Sequence, residues 1–386
     1  MFRVIGTCFQ TWSRSIPRIV RQSLLATVVL IILMAGLDPK EYRFHNEVTR
    51  LTDRPGLRFG KFGRVHTGPF INPERAAALN RDGFTLELAV SLTNSASGDF
   101  RILASFHAGD DRSQLIVGQW RQHFIVMNGD DYNNRRRLPR ISTDASACPA
   151  GPIHLLITTG PEGTQLYLNG KVAGARANLR LMMPSEPKSG RLVLGNSVHA
   201  NNPWRAEIHG FAAYSGALTS VQAGDHFARW QQAGDFSFAQ TDDPLLRYTF
   251  ARDDGDKVLD QGTLKVDLEI PTRLVALGTR ALAALHFREG IDRSLALDMI
   301  VNLIGFIPFG LALAFAGNTA APARWRMILR ITAVGFLLSL FIEVAQAWLP
   351  SRDSSFLDLL LNTAGAFLGA GLWALMQIFP ARPPRP

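Results

Sequence analysis

Apolar residues gather in four long runs, one near the start of the chain and three toward its end, while the stretch between them alternates apolar and polar positions in short bursts. The long runs are Val20 to Leu37, Leu297 to Ala316, Met327 to Leu349 and Phe356 to Phe379. About 20 apolar residues cross the hydrocarbon of a bilayer as a helix, so the last three are predicted spans. The first is near the lower limit, with Arg21 able to snorkel. The middle has the period of strands instead. Phe84 to Leu92, Phe100 to Phe106, Leu115 to Trp120, His123 to Met127, Ile153 to Thr159, Gln165 to Leu168, Leu192 to Leu194 and Glu207 to Tyr214 alternate as half-buried strands do. Asn169-Gly170 supplies a type I′ hairpin, in which both central residues take positive φ. Strands at this spacing with no helix between them predict an antiparallel sandwich. A further strand or hairpin is expected around Tyr248 and Lys265 to Pro271. Thr272 to Phe287 then carries Leu274, Leu277, Ala281 and Leu285 at helical spacing, either lying in a membrane interface or simply connecting.

The fold class is therefore multidomain: an all-β antiparallel sandwich outside the membrane and an all-α transmembrane bundle of four helices. The expected bounds are 1–22 for a cytoplasmic N-terminus, 20–37 for the first helix, and 38–270 for the extracytoplasmic domain with its core at 46–230. A connector at 271–296, a bundle at 297–379 (helices 297–316, 327–349 and 356–379) and a tail at 380–386 complete the chain.

Charge orients the spans. Arg3, Arg14, Arg18 and Arg21 lie at the first, Arg324, Arg326 and Arg330 between the second and third, and Arg382 and Arg385 after the last; these nine arginines equal the formal net charge of +9. The positive-inside rule makes all three segments cytoplasmic, with Asp38 to about Ala296 and the turn Pro350 to Ser355 outside. A pI of about 10 would otherwise suggest nucleic acid. Topology accounts for the excess, and no nucleic-acid partner is expected. No clear A-x-A site precedes Asp38, so the first run reads as an uncleaved anchor rather than a signal peptide. Cys8 and Cys148 fall on opposite sides of the membrane, and no disulfide or zinc framework arises.

Six polar residues interrupt the late spans: Asp298 and Asn302, Glu343 and Gln346, Asp358 and Asn362. A carboxylate in hydrocarbon is costly and implies a buried partner or a task. Helical spacing puts Asp298, Asn302, Gly305 and Phe309 on one face, Gly335, Ser339, Glu343 and Gln346 on a second, and Asp358, Asn362, Gly365 and Gly369 on a third. The three pairs converge at one depth, near the outer leaflet. Arg352 and Asp353 sit in the turn above, where Arg352 could pair with Glu343 or Asp358, or hold a phosphate. Glu343, Asp358 and Arg352 are the candidate catalytic groups. Taken singly, Asn302, Gln346 and Asn362 are explained by interhelical hydrogen bonds, and Asp298 by a helix N-terminus. Pro308 should kink the second span.

In the exported stretch, Trp120, Tyr132, His199, Asn201, Asn202 and Trp204 are candidate ligand contacts, since sugars need an aromatic platform beside amide partners; core packing of both tryptophans is the alternative. Asp110, Asp111, Asp130 and Asp131 could ligate calcium or be solvated turn acids. Arg135 to Arg137 could touch an anionic polymer or form an exposed loop. Glu87 and Glu207 stand alone on their strands, which disfavours a glycosidase.

The strand order, the Gly56-Leu57-Arg58-Phe59-Gly60 opening, the Tyr167-Leu168-Asn169-Gly170-Lys171 hairpin and the closing Gly210-Phe211-Ala212-Ala213-Tyr214 resemble laminin-G-like, concanavalin A-like jelly rolls, over about Asn46 to Trp230. That resemblance implies binding of carbohydrate or protein, often with calcium. Asn302 to Gly310, Ser339 to Glu343 with Gln346, and Arg352 to Ser355 with Asp358 and Asn362 to Gly365 resemble the VanZ-like membrane family, over about Asp298 to Trp373. The family's first helix often ends in an Asp-Lys pair, of which Asp38-Pro39-Lys40 is a loose version. The resemblance implies a bacterial envelope setting and, through the family's name, a link to glycopeptide (teicoplanin) resistance, without naming a reaction. Two readings follow. In the first, a non-enzymatic inner-membrane protein with both termini in the cytoplasm binds an envelope glycan or exported protein, anchored in lipid by the bundle. In the alternative, a membrane enzyme or transporter handles lipid-linked precursors through the polar cluster, whose mixed oxygens would suit Mg²⁺.

Overall fold

A computed structural model describes residues 15–38, 44–92, 98–149, 151–185, 189–237, 242–251, 255–278, 281–282, 293–317, 324–349, 352 and 354–377. Arg3, Cys8, Arg14, Pro39, Lys40, Asp353, Arg382, Arg385 and residues 279, 280 and 283–292 of the 271–296 connector lie outside the described residues. The chain divides into two compact units, one of residues 43–278 and one of residues 1–42 with 279–386. The helices are α1 (Arg18–Leu37), α2 (Pro73–Asp82), α3 (Ser220–Ala233), α4 (Arg293–Gly305), α5 (Ile307–Gly317), α6 (Arg324–Gln346) and α7 (Phe356–Met376). The strands are β1 (Val48–Arg50), β2 (Leu57–Phe59), β3 (Val65–Thr67), β4 (Phe84–Ser91), β5 (Arg101–His107), β6 (Leu115–Trp120), β7 (His123–Asn128), β8 (Arg140–Asp144), β9 (Ile153–Gly160), β10 (Gly163–Leu168), β11 (Lys171–Arg176), β12 (Arg191–Leu194), β13 (Glu207–Ser215), β14 (Leu246–Tyr248), β15 (Lys257–Val258) and β16 (Leu268–Glu269).

The strands form two antiparallel sheets, ordered β1-β2-β13-β4-β9-β10-β11, with β14 also on β13, and β15-β16-β3-β12-β5-β6-β7-β8. Alternation decides which side chains meet between them. Leu86, Leu88 and Val90 of β4, Leu155 and Ile157 of β9 and Phe211 of β13 share one core with Phe106 of β5, Leu115 and Val117 of β6 and Phe124 and Val126 of β7. Each fully buried side chain of this kind contributes roughly 1.5–3 kcal/mol. The intervening Ile116, Ile125 and Met127, with Phe100 and Ile102, form a second apolar layer on the far face of the second sheet, capped by Trp120 and Tyr132. Asn169 and Gly170 both have positive φ, 49° and 73°, and join β10 to its return strand β11. That strand is exposed on both faces, so it carries no alternation and escaped the sequence reading. At the same end of the molecule β8 and β11 are cross-braced: Thr143 Oγ1 donates to the Ala173 carbonyl (3.1 Å) and Arg176 Nη1 to the Arg140 carbonyl (2.7 Å).

Two helices interrupt the strands, contrary to the helix-free expectation. Asn72 caps α2 by accepting the Arg75 N–H, with Pro73 at the first turn. Thr219 and Gln222 form a capping box on α3. The helix expected from Thr272 does not begin there. Residues 272–278 form bends and an isolated bridge from Arg273 to His45 instead, with Asn46 N–H donating to the Thr272 carbonyl (3.1 Å), Leu274 N–H to the Phe44 carbonyl (3.1 Å) and Leu277 N–H to the Val198 carbonyl (2.9 Å). Edge hydrogen bonds hold this segment to the sandwich despite its helical spacing.

Among the described residues of the other unit, four helices are long and apolar enough to cross a membrane: Arg18–Leu37, Leu295–Gly317, Arg324–Gln346 and Phe356–Met376. The second breaks at Phe306, between α4 and α5, two residues before Pro308, whose ring cannot donate a helical N–H. Gly365 and Gly369 let α7 meet this broken helix backbone to backbone: a Cβ at Gly365 would strike the Leu303 carbonyl oxygen, and one at Gly369 the Ile307 carbonyl oxygen. Ser355 caps α7, its hydroxyl accepting from Leu357 N–H at 3.2 Å.

Candidate functional site

The second apolar layer of the sandwich is the floor of a groove of about 1060 Å³. Trp120 ends β6 and Tyr132 sits in the loop after β7; both line it, with Asn201 and Asn202 from the loop before β13. Each is held. Trp120 Nε1 donates to the Gly98 carbonyl (2.9 Å), Tyr132 stacks on Phe100 (ring centroids 5.3 Å apart), Asn201 Oδ1 accepts from Ser197 Oγ (2.6 Å), and Asn202 Nδ2 donates to the Phe100 carbonyl (3.2 Å). The groove also takes Asp99, Arg101, His123, Arg140 and Arg205, none of them singled out in the sequence, where scattered cations give no periodic signal.

Two expected contacts lie elsewhere. Trp204 is 0 % exposed in the core, its Nε1 donating to Gln119 Oε1 at 2.7 Å; its polar sequence neighbours concealed a core position. His199 does not line the groove and instead hydrogen-bonds Asp111 at 3.1 Å, while His107 reaches the same carboxylate at 2.7 Å. The other acids proposed for calcium are also engaged within the loops. Asp131 accepts from Arg136 N–H, Leu138 N–H and Arg140 Nη2, Asp130 pairs with Arg136, and Asp110 accepts from Arg112 N–H. Among the described residues no three His, Cys, Asp or Glu side chains are grouped to hold a metal.

Glu87, alone on its strand in sequence, is far from alone in space. It is fully buried and hydrogen-bonds His154 Nε2 (2.6 Å), the Tyr214 hydroxyl (2.6 Å) and His226 Nδ1 (3.0 Å). This cluster lies between the outer face of the first sheet and α3. Burial alone would raise the Glu87 carboxyl, but the two histidine hydrogen bonds outweigh it and hold it at about 2. Burial, then the adjacent carboxylate, pushes the Tyr214 hydroxyl upward. These hydrogen bonds tie α3, through His226, to the outer face of the first sheet.

In the helical unit, all seven polar residues singled out from the sequence line one cavity of about 550 Å³: Asp298 and Asn302 of α4, Glu343 and Gln346 of α6, Arg352, and Asp358 and Asn362 of α7. Glu343 is buried and accepts the Ser355 N–H at 2.8 Å and a Ser354 hydroxyl hydrogen bond. Ser354 in turn accepts from Leu282 N–H (2.9 Å). Asn302 hydrogen-bonds Asp358. Gln346 Nε2 donates to the Gly36 carbonyl (2.7 Å), tying α6 to α1, and Asn362 Nδ2 donates to Ser339 Oγ (3.0 Å), tying α7 to α6. Asn362 is only 4 % exposed, and its Oδ1 has no partner among the described residues. Arg352 departs from expectation: among the described residues the acid within ion-pair distance of it is Asp38, at 4.0 Å, rather than Glu343 or Asp358. Glu343 already meets backbone and hydroxyl donors, and the end of α1 brings Asp38 within reach.

Residues 249–377 match the VanZ/LLP1 family model, and residues 68–223 a laminin G model of the concanavalin A-like lectin/glucanases superfamily. The chain joins a concanavalin A-like domain to a VanZ-like region. The VanZ-like match and the four apolar helices together indicate membrane association. Three solved structures resemble the chain. The receptor-binding domain of botulinum neurotoxin C/D mosaic serotype is 12% identical (TM-score 0.38, covering 48% of this chain and 46% of that one). A candidate carbohydrate-binding protein from Bacteroides ovatus is 12% identical (TM-score 0.40, 56% and 57%). A heptameric SAP-like pentraxin from Limulus polyphemus is 12% identical (TM-score 0.32, 47% and 79%). The chain thus spans about half the length of the first two. No curated protein matches it significantly. Within the VanZ-like region, Ser339 falls on the polar face and Ser354 and Ser355 in the family motif, but the sequence gives none of them a role; their hydroxyls and amide complete the polar contacts, and small polar residues are too common in helices and turns to stand out.

Proposed function

We propose that this is a bacterial envelope protein of the plasma membrane whose concanavalin A-like domain lies outside the cell and binds a glycan, with the VanZ-like helices as its anchor. The observation that carries this reading is the groove: a fixed indole and a stacked phenol beside two carboxamides, the combination that holds sugar rings by stacking and hydroxyls by hydrogen bonds. The nine arginines around the spans support an orientation with both termini in the cytoplasm, which reporter fusions at Ser354 test. The binding reading is tested with full-length protein in detergent on immobilised envelope polysaccharides. Retention is expected, and Trp120→Ala should abolish it. Failure of any polysaccharide to retain the protein, with an exported envelope protein binding instead, would replace glycan by protein as the ligand.

A second reading, a membrane enzyme or transporter for lipid-linked precursors, is favoured by the convergence of three acids, one guanidinium and an unpartnered Asn362 Oδ1 on one cavity. Glu343 and Asp358 would be its working groups and Arg352 the phosphate contact. Glu343→Gln and Asp358→Asn should then remove the phenotype, read for example as teicoplanin susceptibility, at unchanged expression. A normal phenotype leaves both residues as structural.

A further inference from the structure

In the helical unit α6 and α7 face each other over two rungs of polar side chains. Ser339 and Glu343 lie one turn apart on α6, and Asn362 and Asp358 one turn apart on α7. The first rung is closed, since Asn362 Nδ2 donates to Ser339 Oγ at 3.0 Å. The second is not. Glu343 accepts the Ser355 N–H at 2.8 Å, which brings its carboxyl to the first turn of α7, where Asp358 sits. Among the described residues no basic side chain lies within ion-pair distance of either acid. Both line the cavity of about 550 Å³, where Asp298 adds a third acid against one guanidinium, Arg352. Asn362 lines it too, 4 % exposed, with an Oδ1 that has no partner among the described residues. A buried acceptor of that kind calls for a donor, and acids held together call for a positive charge between them.

Two carboxylates and one carboxamide oxygen make three acceptors, and a primary ammonium carries three N–H donors with its charge. A bare metal ion fits less well. Among the described residues no three His, Cys, Asp or Glu side chains are grouped to hold one, and the cavity has the size of a small-molecule site. The rest of its wall includes Ile32, Ile342 and Leu357, which suits a ligand with hydrocarbon attached. We propose, resting on the second reading above, that this cavity takes the protonated primary amine of a membrane-lipid headgroup, with Glu343 and Asp358 sharing its charge and Asn362 Oδ1 accepting the third N–H. Arg352 meets the phosphate in that reading, and the amine supplies the opposite charge to the acids.

Native mass spectrometry of the full-length protein in detergent tests this with phosphatidylethanolamine, phosphatidylcholine and phosphatidylglycerol of matched acyl chains, with phosphoethanolamine as the headgroup alone, and with Mg²⁺ alone. Phosphatidylethanolamine should bind about 10-fold or more tighter than phosphatidylcholine, whose quaternary nitrogen has no N–H, and than phosphatidylglycerol, which has no amine. Glu343→Gln and Asp358→Asn, which keep side-chain volume and remove charge, should erase that preference. The ranking of lipids on the unmodified protein decides the matter even where a variant fails to fold. Phosphoethanolamine binding as tightly as the lipid would overturn the lipid as the source of the amine. Equal binding of the three lipids, or of no ligand at all, would overturn the amine. Mg²⁺ binding that depends on Glu343 and displaces the lipid would overturn it in favour of a metal. The second reading stands or falls separately, on the teicoplanin phenotype of the same two variants.

Discussion

Phe106, Phe124 and Phe211 are buried in the sandwich, whereas in the helical unit Leu297, Ile300, Leu329, Leu337 and Phe341 are exposed and Ser339, Glu343 and Asn362 are buried. One rule produces both patterns: side chains go where their surroundings match them, and the surroundings are water for one unit and lipid for the other. The comparison is sharpest in how each unit treats a buried carboxylate. Glu87 is fully buried among three side-chain partners. Glu343 has a backbone amide and a hydroxyl on one side and an open cavity on the other. A closed polar cluster holds structure together, and one with a vacant side has room for a ligand.

The largest effect that could break this contrast is at Glu87. Glu87→Ala leaves His154, His226 and Tyr214 without their acceptor and should destabilise the sandwich by about 3–5 kcal/mol, measured by denaturant unfolding of the full-length protein; a change below about 1 kcal/mol would mean the cluster does not anchor α3. The same residue sets a pH dependence. Its folded-state pKa is depressed, from 4.5 to about 2, so its contribution is fully present above pH 4.5 and is lost as pH falls toward 2. That amounts to about 3 kcal/mol over this window, and Glu87→Gln should flatten the slope there. Next, Gly365→Leu should cost the helical unit about 1–3 kcal/mol by forcing α7 away from Leu303, read as lost thermal stability of the detergent-solubilised protein. A smaller effect separates two tryptophans. Trp204→Phe should cost about 1–3 kcal/mol by removing the indole donor to Gln119 in a fully buried site, whereas Trp120→Phe should change stability by less than about 0.5 kcal/mol. The smallest belongs to the bundle: Asn362→Ala should lose only about 0.6 kcal/mol if the Ser339 bond is its whole role, and any larger functional loss at intact stability would favour the cavity.

What could be read in advance divides along the same line. Strand Leu115–Trp120 was found to the residue, because alternation over a two-sided sheet is a local property of sequence. The seven polar residues were traced to one cavity for a similar reason, since each stands out against an apolar helix and helical spacing supplies its direction. The Glu87 cluster was not legible: its members sit at positions 87, 154, 214 and 226, brought together by the pairing of β4 with β9 and β13 and by the packing of α3 on the sheet. The helices at Pro73 and Ser220 left a trace in their caps, Asn72-Pro73 and Thr219 with Gln222, that the strand-like surroundings overrode. The groove was half visible. Trp120, Tyr132, Asn201 and Asn202 came from residue type, while Arg101 and Arg205 required knowing which loops face each other.

The bonds from Thr143 to Ala173 and from Arg176 to Arg140 bear on how the two sheets meet other copies of themselves. β8 and β11 end their respective sheets, and an unguarded terminal strand is a template on which a second molecule can add its own. Here each shields the other, since a side chain from one already occupies a carbonyl of its neighbour and the exposed strand carries Lys171 and Arg176. A domain built this way can be crowded and still resist strand-by-strand polymerisation along that border.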